Sequence, residues 1–196
     1  MPAWVQRGGT RLPVAPGMAL EAGDILRTGP NARLLVQLAE GSLVKLGADA
    51  ELRLQALKPA STGGLFEGLL DVVKGAFRFT TTLLSRNHRR KLDVRIANVT
   101  AGIRGTDVWG KAASDKDIVC LIEGEVSVTR GSEPTITMSD PLSFYVAPHG
   151  QAPLPVRPVD PEQLQRWALE TDIAEDGPAL VENGAWRVYV ESLSSS

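Results

Sequence analysis

The sequence predicts an all-β fold of short antiparallel strands, arranged as a twisted sandwich or a short β-solenoid, with one amphipathic helix near the C-terminus. Two observations support this prediction. Short segments of alternating polar and apolar residues recur at roughly ten-residue spacing between glycine- and proline-containing turns, as half-buried strands do. Apolar residues at helical spacing first appear near residue 160.

The first strands follow from local alternation and turn residues. Residues 33–38 and 42–46 are β-rich and flank Ala39-Glu40-Gly41-Ser42, which predicts a hairpin. Residues 51–57 alternate strictly between polar and apolar side chains, which is typical of a half-buried strand. Residues 64–74 also allow a single helical turn. Further strands are predicted over residues 69–73, 76–80, 92–99, 118–129, 135–138 and 142–146.

Turn dipeptides punctuate the strands near the N-terminus and again near residue 124. Gly23-Asp24 and Gly29-Pro30 flank a short strand around Ile25. Glu123-Gly124 lies between two apolar runs and predicts another hairpin turn.

Gly105 lies among β-branched residues, which predicts a strand that turns a corner or carries a bulge. Arg104 is expected to pair locally with Asp107 or with a carbonyl group, and the Thr106 hydroxyl is expected to cap the turn. The functional alternative is that Arg104 and Asp107 contact a ligand at the bend.

The composition changes after residue 147. Residues 147–161 hold five of the thirteen prolines, which excludes a central strand and predicts an extended connector over residues 148–160. Asp160 as N-cap and Pro161 at the first helical position predict a helix over residues 161–175 that docks through Trp167. A strand near residues 186–190 has no evident partner, so residues 185–196 are expected to start a further domain.

Composition excludes several classes of function. The chain has 196 residues, enough for one domain or one domain with a small appendage, and a net charge of -2. Only 5% of the residues are aromatic, so we expect no nucleic-acid partner. The apolar stretches are too short for a transmembrane segment. No secretory signal is recognisable, which leaves a cytoplasmic protein or the mature part of an exported one.

The sequence offers no recognisable reactive centre. Cys120 stands alone within an apolar run and is expected to be a buried hydrophobic residue. His88 and His149 match no metal-binding spacing, and His149 is expected in an exposed turn. Nucleophile-elbow and phosphate-binding motifs are absent from the sequence. We therefore expect no catalytic, cofactor or metal site, and a protein that is not an enzyme.

One dense basic run is the candidate binding site. It is expected to be either a solvated loop between strands or an anion-binding edge for an acidic partner surface, lipid headgroups or cell-wall carboxylates. The candidate partner-binding residues are Arg86, His88, Arg89, Arg90 and Lys91. Trp109 and Trp167 are expected to anchor the core, whereas an exposed tryptophan pair would favour sugar stacking.

Taken in order, the glycine-centred phrases between about residues 3 and 147 resemble the FecR family of bacterial envelope proteins. The resemblance implies an exported, periplasmic all-β domain that binds other molecules and catalyses nothing; the best-known members relay a transporter's ligand state to a sigma factor. The turn residues Gly23, Asp24, Gly29, Arg104, Gly105, Thr106 and Gly124 are then structural. The matching elements are Leu20, Gly23, Asp24, Thr28, Gly29, Gly41, Ser42, Val44, Leu46, Gly75, Phe77, Ile103, Arg104, Gly105, Thr106, Glu123, Gly124, Val126 and Val128.

This sequence departs from the regulator pattern, since it shows neither a cytoplasmic anti-sigma segment nor a membrane helix. The resemblance therefore implies a binding module of a larger envelope protein, active in sensing or signalling, whose partner is another envelope protein or peptidoglycan. Its C-terminal segment, Trp186–Ser192, is similar to the opening of a SPOR domain, a peptidoglycan-binding fold. The alternative function is accordingly a peptidoglycan- or glycan-binding envelope protein.

The basic run generates a mutational prediction. Reversing Arg89, Arg90 and Lys91 together to glutamate should change the free energy of unfolding by no more than about 0.5 kcal/mol per residue, because substitutions in a surface loop cost little. Urea unfolding followed by circular dichroism measures this. A variant that fails to fold would contradict the assignment of this run to a surface loop.

Overall fold

The computed structural model describes residues 2–38, 40–58, 66–81, 90–173 and 186–192. Within these ranges it contains one helix, α1 (Pro161–Thr171), and fourteen strands. The strands are β1 (Ala3–Arg7), β2 (Thr10–Pro13), β3 (Ile25–Thr28), β4 (Ala32–Leu38), β5 (Leu43–Leu46), β6 (Glu51–Lys58), β7 (Phe66–Thr80), β8 (Arg90–Ile96), β9 (Val99–Ala112), β10 (Lys116–Arg130), β11 (Ile136–Met138), β12 (Ser143–Pro148), β13 (Leu154–Pro158) and β14 (Trp186–Ser192). The predicted all-β class is confirmed.

The three longest strands, β7, β9 and β10, each contribute to two layers of one continuous sheet. The first layer runs in the order β2-β1-β3-β6, then the first half of β7, β8, the first half of β9, the second half of β10, and β11. The second layer runs β14-β4-β5, then the second halves of β7 and β9, the first half of β10, β12 and β13. Among the pairings described, only β7 with β8 is parallel.

A single apolar core lies between the layers. It joins Val5 and Leu52 of the first layer to Leu34, Val44 and Phe77 of the second. Because successive side chains of a strand point to opposite faces, the alternate residues of the second layer face outward. These outward residues are also apolar around Trp109, and they form a second cluster that α1 covers. The second layer is therefore buried on both faces in this region.

Glycines allow the long strands to bend between layers. Gly75, Gly105 and Gly124 all have positive φ values, of 89°, 68° and 87°, which other residues rarely adopt. The register between β9 and β10 shifts on both sides of Glu123. The predicted hairpin at Glu123-Gly124 is therefore wrong: both residues lie inside β10, because a glycine bulge uses the same residue types as a turn.

The N-terminal turn residues join β1, β3 and β6. Asp24 is 1% exposed, and its carboxylate accepts two hydrogen bonds from the Arg7 guanidinium and one from the Glu21 backbone N–H. Gly29 donates its backbone N–H to the carbonyl of Pro2. These bonds fix the start of the chain against the first layer.

The strand boundaries confirm one local prediction and correct two others. The hairpin of β4 and β5 is confirmed. Residues 69–73 and 76–80 belong to one strand, β7, so the alternative of a helical turn over residues 64–74 is wrong for residues 66–74. Arg90 and Lys91 begin β8 and pair with Phe66 and Glu67, so the loop prediction is wrong for these two residues.

The C-terminal region adds two strands to the same sheet. Within the predicted connector, β13 pairs with β12 as an edge strand, a position that tolerates its prolines. The side chain of Asp160 caps α1 as predicted, and the helix ends at Thr171 rather than at 175. The expectation that the last strand lacks a partner is wrong, because β14 pairs with β4 along its whole length.

The bend in β10 generates a stability prediction. A Cβ atom at position 124 would lie 2.6 Å from the Gly105 carbonyl oxygen. Gly124→Ala should therefore lower the free energy of unfolding by about 2–5 kcal/mol, from the positive φ plus overpacking. Urea unfolding measures this loss.

Gly131 provides the matched control, since it also has a positive φ and has no atom within 4 Å of a built Cβ. Gly131→Ala should cost only the backbone term of about 1–2 kcal/mol. Equal losses in the two variants would show that the close approach of β9 and β10 contributes nothing.

Candidate functional site

A groove of about 830 Å³ lies on the outer side of the second layer, between α1, β13 and the turn that joins β9 to β10. We call it the helix groove. Its floor is apolar and its rim carries polar and charged side chains. The residues that line it include Lys111, Asp115, Lys116, Ile118, Phe144, Val146, His149, Leu154, Arg157, Gln163 and Trp167.

The floor exists because α1 docks on outward-facing aromatic and aliphatic residues. The rings of Trp109 and Trp167 stack with centroids 4.7 Å apart and an angle of 9° between planes. Phe144 meets Trp167 edge to face at 5.4 Å. Trp109 and Trp167 are both buried, which confirms that they pack in the core. This aromatic contact docks the helix on the outer face of the second layer.

Three cationic side chains line the groove. Lys111 reaches Glu170 of α1 at 2.7 Å, and Lys116 lies 3.3 Å from Asp115. Arg157 places its guanidinium 4.9 Å from the centroid of the Phe144 ring. Within the described part of the chain Arg157 has no carboxylate partner. The groove therefore presents an excess of positive charge over an apolar floor.

His149 lies in the turn after β12, as predicted, and closes the end of the helix groove, but its side chain is half-buried rather than exposed. The side chain is 33% exposed, and its Nε2 lies 3.1 Å from Oδ1 of the fully buried Asp117. Its Nδ1 lies 3.2 Å from the Ser114 carbonyl oxygen. Asp117 also accepts a hydrogen bond from the Asn98 backbone N–H. These bonds tie β9, β10 and β12 together at one end of the groove.

Comparison with known proteins identifies the family. The model of the family described as "FecR protein" matches residues 24–127, more than half of the chain. The chain belongs to the FecR family. Its strands β1 and β2, and everything from β11 onward, lie outside the matched residues of this FecR chain.

Solved structures show the same fold. Two crystal structures of a candidate anti-sigma factor from Parabacteroides distasonis superpose with TM-scores of 0.59 and 0.60, at 16% and 17% sequence identity. Each comparison covers 73% of this FecR chain and 63% of the other, so the chain spans less than two thirds of the length of those proteins. A search of curated proteins gave no significant match.

The residues around Gly105 make contacts that differ from the predicted ones. Asp107 accepts two hydrogen bonds from the Arg78 guanidinium, at 2.9 and 2.6 Å, and not from Arg104. Arg78 is a residue distant in sequence that the strand pairing brings beside Asp107. The Thr106 hydroxyl is buried without a hydrogen-bond partner among the described residues, so the predicted cap is also wrong.

The predicted basic site lies apart from the helix groove. Arg86, His88 and Arg89 lie outside the described residues, as does the side chain of Arg90. Lys91 is exposed on β8 of the first layer, whereas the groove lies on the outer face of the second. Sequence reasoning missed Lys111, Lys116 and Arg157, because Arg157 is far in sequence from the two lysines and the three cations leave no local pattern.

The described residues provide little reactive chemistry. Burial raises the pKa of the Cys120 thiol to about 12, with a further contribution from Asp107. The residue is buried as predicted, and a thiol with this pKa is protonated at neutral pH. No group of three metal-ligating side chains occurs in the ranges that the structure describes.

No helix among the described residues has the length and apolar character needed to cross a membrane.

The aromatic contact beneath the groove generates a prediction. Trp167→Ala should lower the free energy of unfolding by about 3–5 kcal/mol, because it leaves a cavity against Trp109 and Phe144. The unfolding midpoint in urea, followed by tryptophan fluorescence and circular dichroism, measures the loss.

Leu169 lies on the same helix, is 60% exposed, and is the matched control. Leu169→Ala should change stability by less than about 0.5 kcal/mol. If the two substitutions had equal effects, α1 would not be anchored by its tryptophan.

Proposed function

We propose that this chain is a non-catalytic binding module of the bacterial cell envelope, located in the periplasm, that takes part in sensing or signalling by contacting another protein. The observation that carries the proposal is the FecR family match over residues 24–127. The shared fold with a candidate anti-sigma factor supports a regulatory role. Binding modules of this kind act through surface contacts, so the groove and the exposed strand faces are the relevant features.

The charged groups support a binding rather than a catalytic role. Asp24 is held by Arg7, Asp107 by Arg78, and the buried Asp117 by Asn98 and His149. Each carboxylate thus joins separate parts of the sheet. A carboxyl group that acts as a general acid or base must reach the substrate, and these three are occupied by structural partners and do not line the helix groove.

A protein partner is favoured over a glycan by the positions of the three tryptophan side chains that the structure describes. Trp109 and Trp167 stack on each other and are buried, so neither ring is free to stack on a sugar. The guanidinium of Arg11 lies 3.9 Å from the centroid of Trp4 and covers one face of that ring. We therefore treat peptidoglycan as the alternative that the experiment must distinguish.

The proposal is tested by capture and localisation. The tagged chain should retain an exported protein from an envelope extract of the source bacterium, and fractionation should place the full-length protein in the periplasm. A cytoplasmic extract is the control, and mass spectrometry identifies what is retained. Retention of cytoplasmic proteins alone, with the full-length protein in the cytoplasm, would overturn the proposal.

Sedimentation with purified sacculi distinguishes peptidoglycan binding from binding to a protein partner. Under the proposal the full-length protein stays in the supernatant when sacculi are pelleted. Co-sedimentation, with no protein captured from the envelope extract, would replace a protein partner with peptidoglycan.

A further inference from the structure

We propose that the helix groove binds an extended acidic segment of a partner protein, with an aliphatic side chain of that segment on the groove floor and its carboxylates at Arg157 and Lys116. The inference rests on the proposed function, since it names the chemistry that a protein-binding module would recognise. It assigns the partner site to the groove and not to the basic run at residues 86–91.

The floor of the helix groove is apolar. Ile118, Phe144, Val146 and Trp167 are each less than 10% exposed, and together they form one side of the concave surface. Leu154 at the rim is 43% exposed, a large aliphatic side chain with no cover. A partner's aliphatic side chain placed here removes its own apolar surface and that of Leu154 from water, which is the main favourable term in association.

The side chains that line the groove carry more positive than negative charge. Among the lining residues, Lys111, Lys116 and Arg157 are cationic and Asp115 is the acid. Glu170 neutralises Lys111 at 2.7 Å, whereas Lys116 has a longer contact of 3.3 Å with the exposed Asp115. Arg157 has no carboxylate partner among the described residues. An acidic ligand therefore gains interactions that the chain itself leaves unmade.

Arg157 is also suited by geometry to a carboxylate. Its position over the Phe144 ring leaves the guanidinium nitrogens available as donors. A planar guanidinium binds a carboxylate through two parallel hydrogen bonds, and one held on an aromatic ring loses less freedom on binding. Phe144 thus both forms the floor and positions the cation.

The shape of the surface indicates an extended ligand. A second cavity of about 340 Å³ shares Phe144, Arg157 and Gln163 with the helix groove and continues to Asp160 and Arg166. Arg157 therefore lies where the two cavities meet. Addition of a partner strand to the β13 edge of the sheet, beside the groove, is disfavoured, because Pro155 and Pro158 of β13 lack backbone N–H donors. The ligand would therefore be recognised by side chains in the groove.

The groove is only partly built from the residues of the family match. Lys116 lies within the matched residues, whereas Phe144, Arg157 and Trp167 all follow residue 127, where the match ends. A partner bound here would be recognised partly by residues outside the matched FecR region, and its specificity would differ from that of chains that share only that region.

The test selects ligands without assuming their sequence. The folded full-length chain is used to select from a phage library of random short peptides, and the selected peptides are synthesised and measured by fluorescence anisotropy. We expect enrichment of peptides that combine Asp or Glu with Leu, Ile, Val or Phe. Arg157→Glu should weaken their binding about tenfold or more, and added sodium chloride should weaken binding to the unmodified chain.

Arg95→Glu is the matched control, since Arg95 is an exposed arginine on β8 in the first layer. It should leave peptide affinity within about twofold, because it makes the same charge change far from the groove. Arg157→Gln, which removes the charge without reversing it, should give an intermediate loss. Unfolding midpoints of the three variants establish that they are folded.

Three outcomes would overturn the inference: no enrichment, enriched peptides without acidic residues, or equal affinity for the chain and for Arg157→Glu. Sedimentation with phosphatidylglycerol vesicles that Arg157→Glu abolishes, with no peptide enriched, would assign the groove to lipid headgroups and also overturn it. Capture of the same envelope protein by the chain and by Arg157→Glu would refute the groove alone. Failure to capture any envelope protein, with peptides selected as expected, would refute the proposed function alone.

Discussion

The close approach of Gly105 and Gly124 allows β9 and β10 to bend together while they remain paired. A Cβ at position 124 would lie 2.6 Å from the Gly105 carbonyl oxygen, and both residues have positive φ. The second halves of the bent strands pair with different neighbours from the first halves, so one set of long strands serves two layers. Without the bend the strands would continue in one layer, and the core that joins Leu52 to Phe77 would have no second side.

The two faces of the second layer have different packing partners. Its inner face packs in the common core, and its outer face provides the aromatic platform for α1. Because the helix rests on Trp109 and Phe144, it stands away from the strand ends and leaves a groove between itself and β13. The same contact that stabilises the helix therefore creates the concave surface to which we assign partner binding. On this surface Arg157 has no carboxylate partner among the described residues.

The position of the groove also bears on how a FecR chain acquires specificity. The matched residues supply the glycine-bent strands, whereas β12, β13 and α1 follow them in the chain. Ile118 lies within the matched residues, and Phe144 and Trp167 lie beyond them, so the floor is shared between the two parts. A scaffold of this kind can keep its core while changing the elements that cover one face, since loss or exchange of α1 would leave the inner core intact.

The sequence by itself determined the all-β class, the β4–β5 hairpin, the Asp160 cap and the burial of Cys120 and Trp109, because alternation, turn residues and capping act over a few neighbouring residues. Glu123-Gly124 looked like a turn and is a bulge, since local preferences for glycine are the same in both. The Arg78–Asp107 pair, the partner of β14 and the meeting of Lys111, Lys116 and Arg157 were decided only by the tertiary structure. Each depends on register between strands far apart in sequence, which is set by packing of the whole sheet and leaves no trace in any short stretch of the chain.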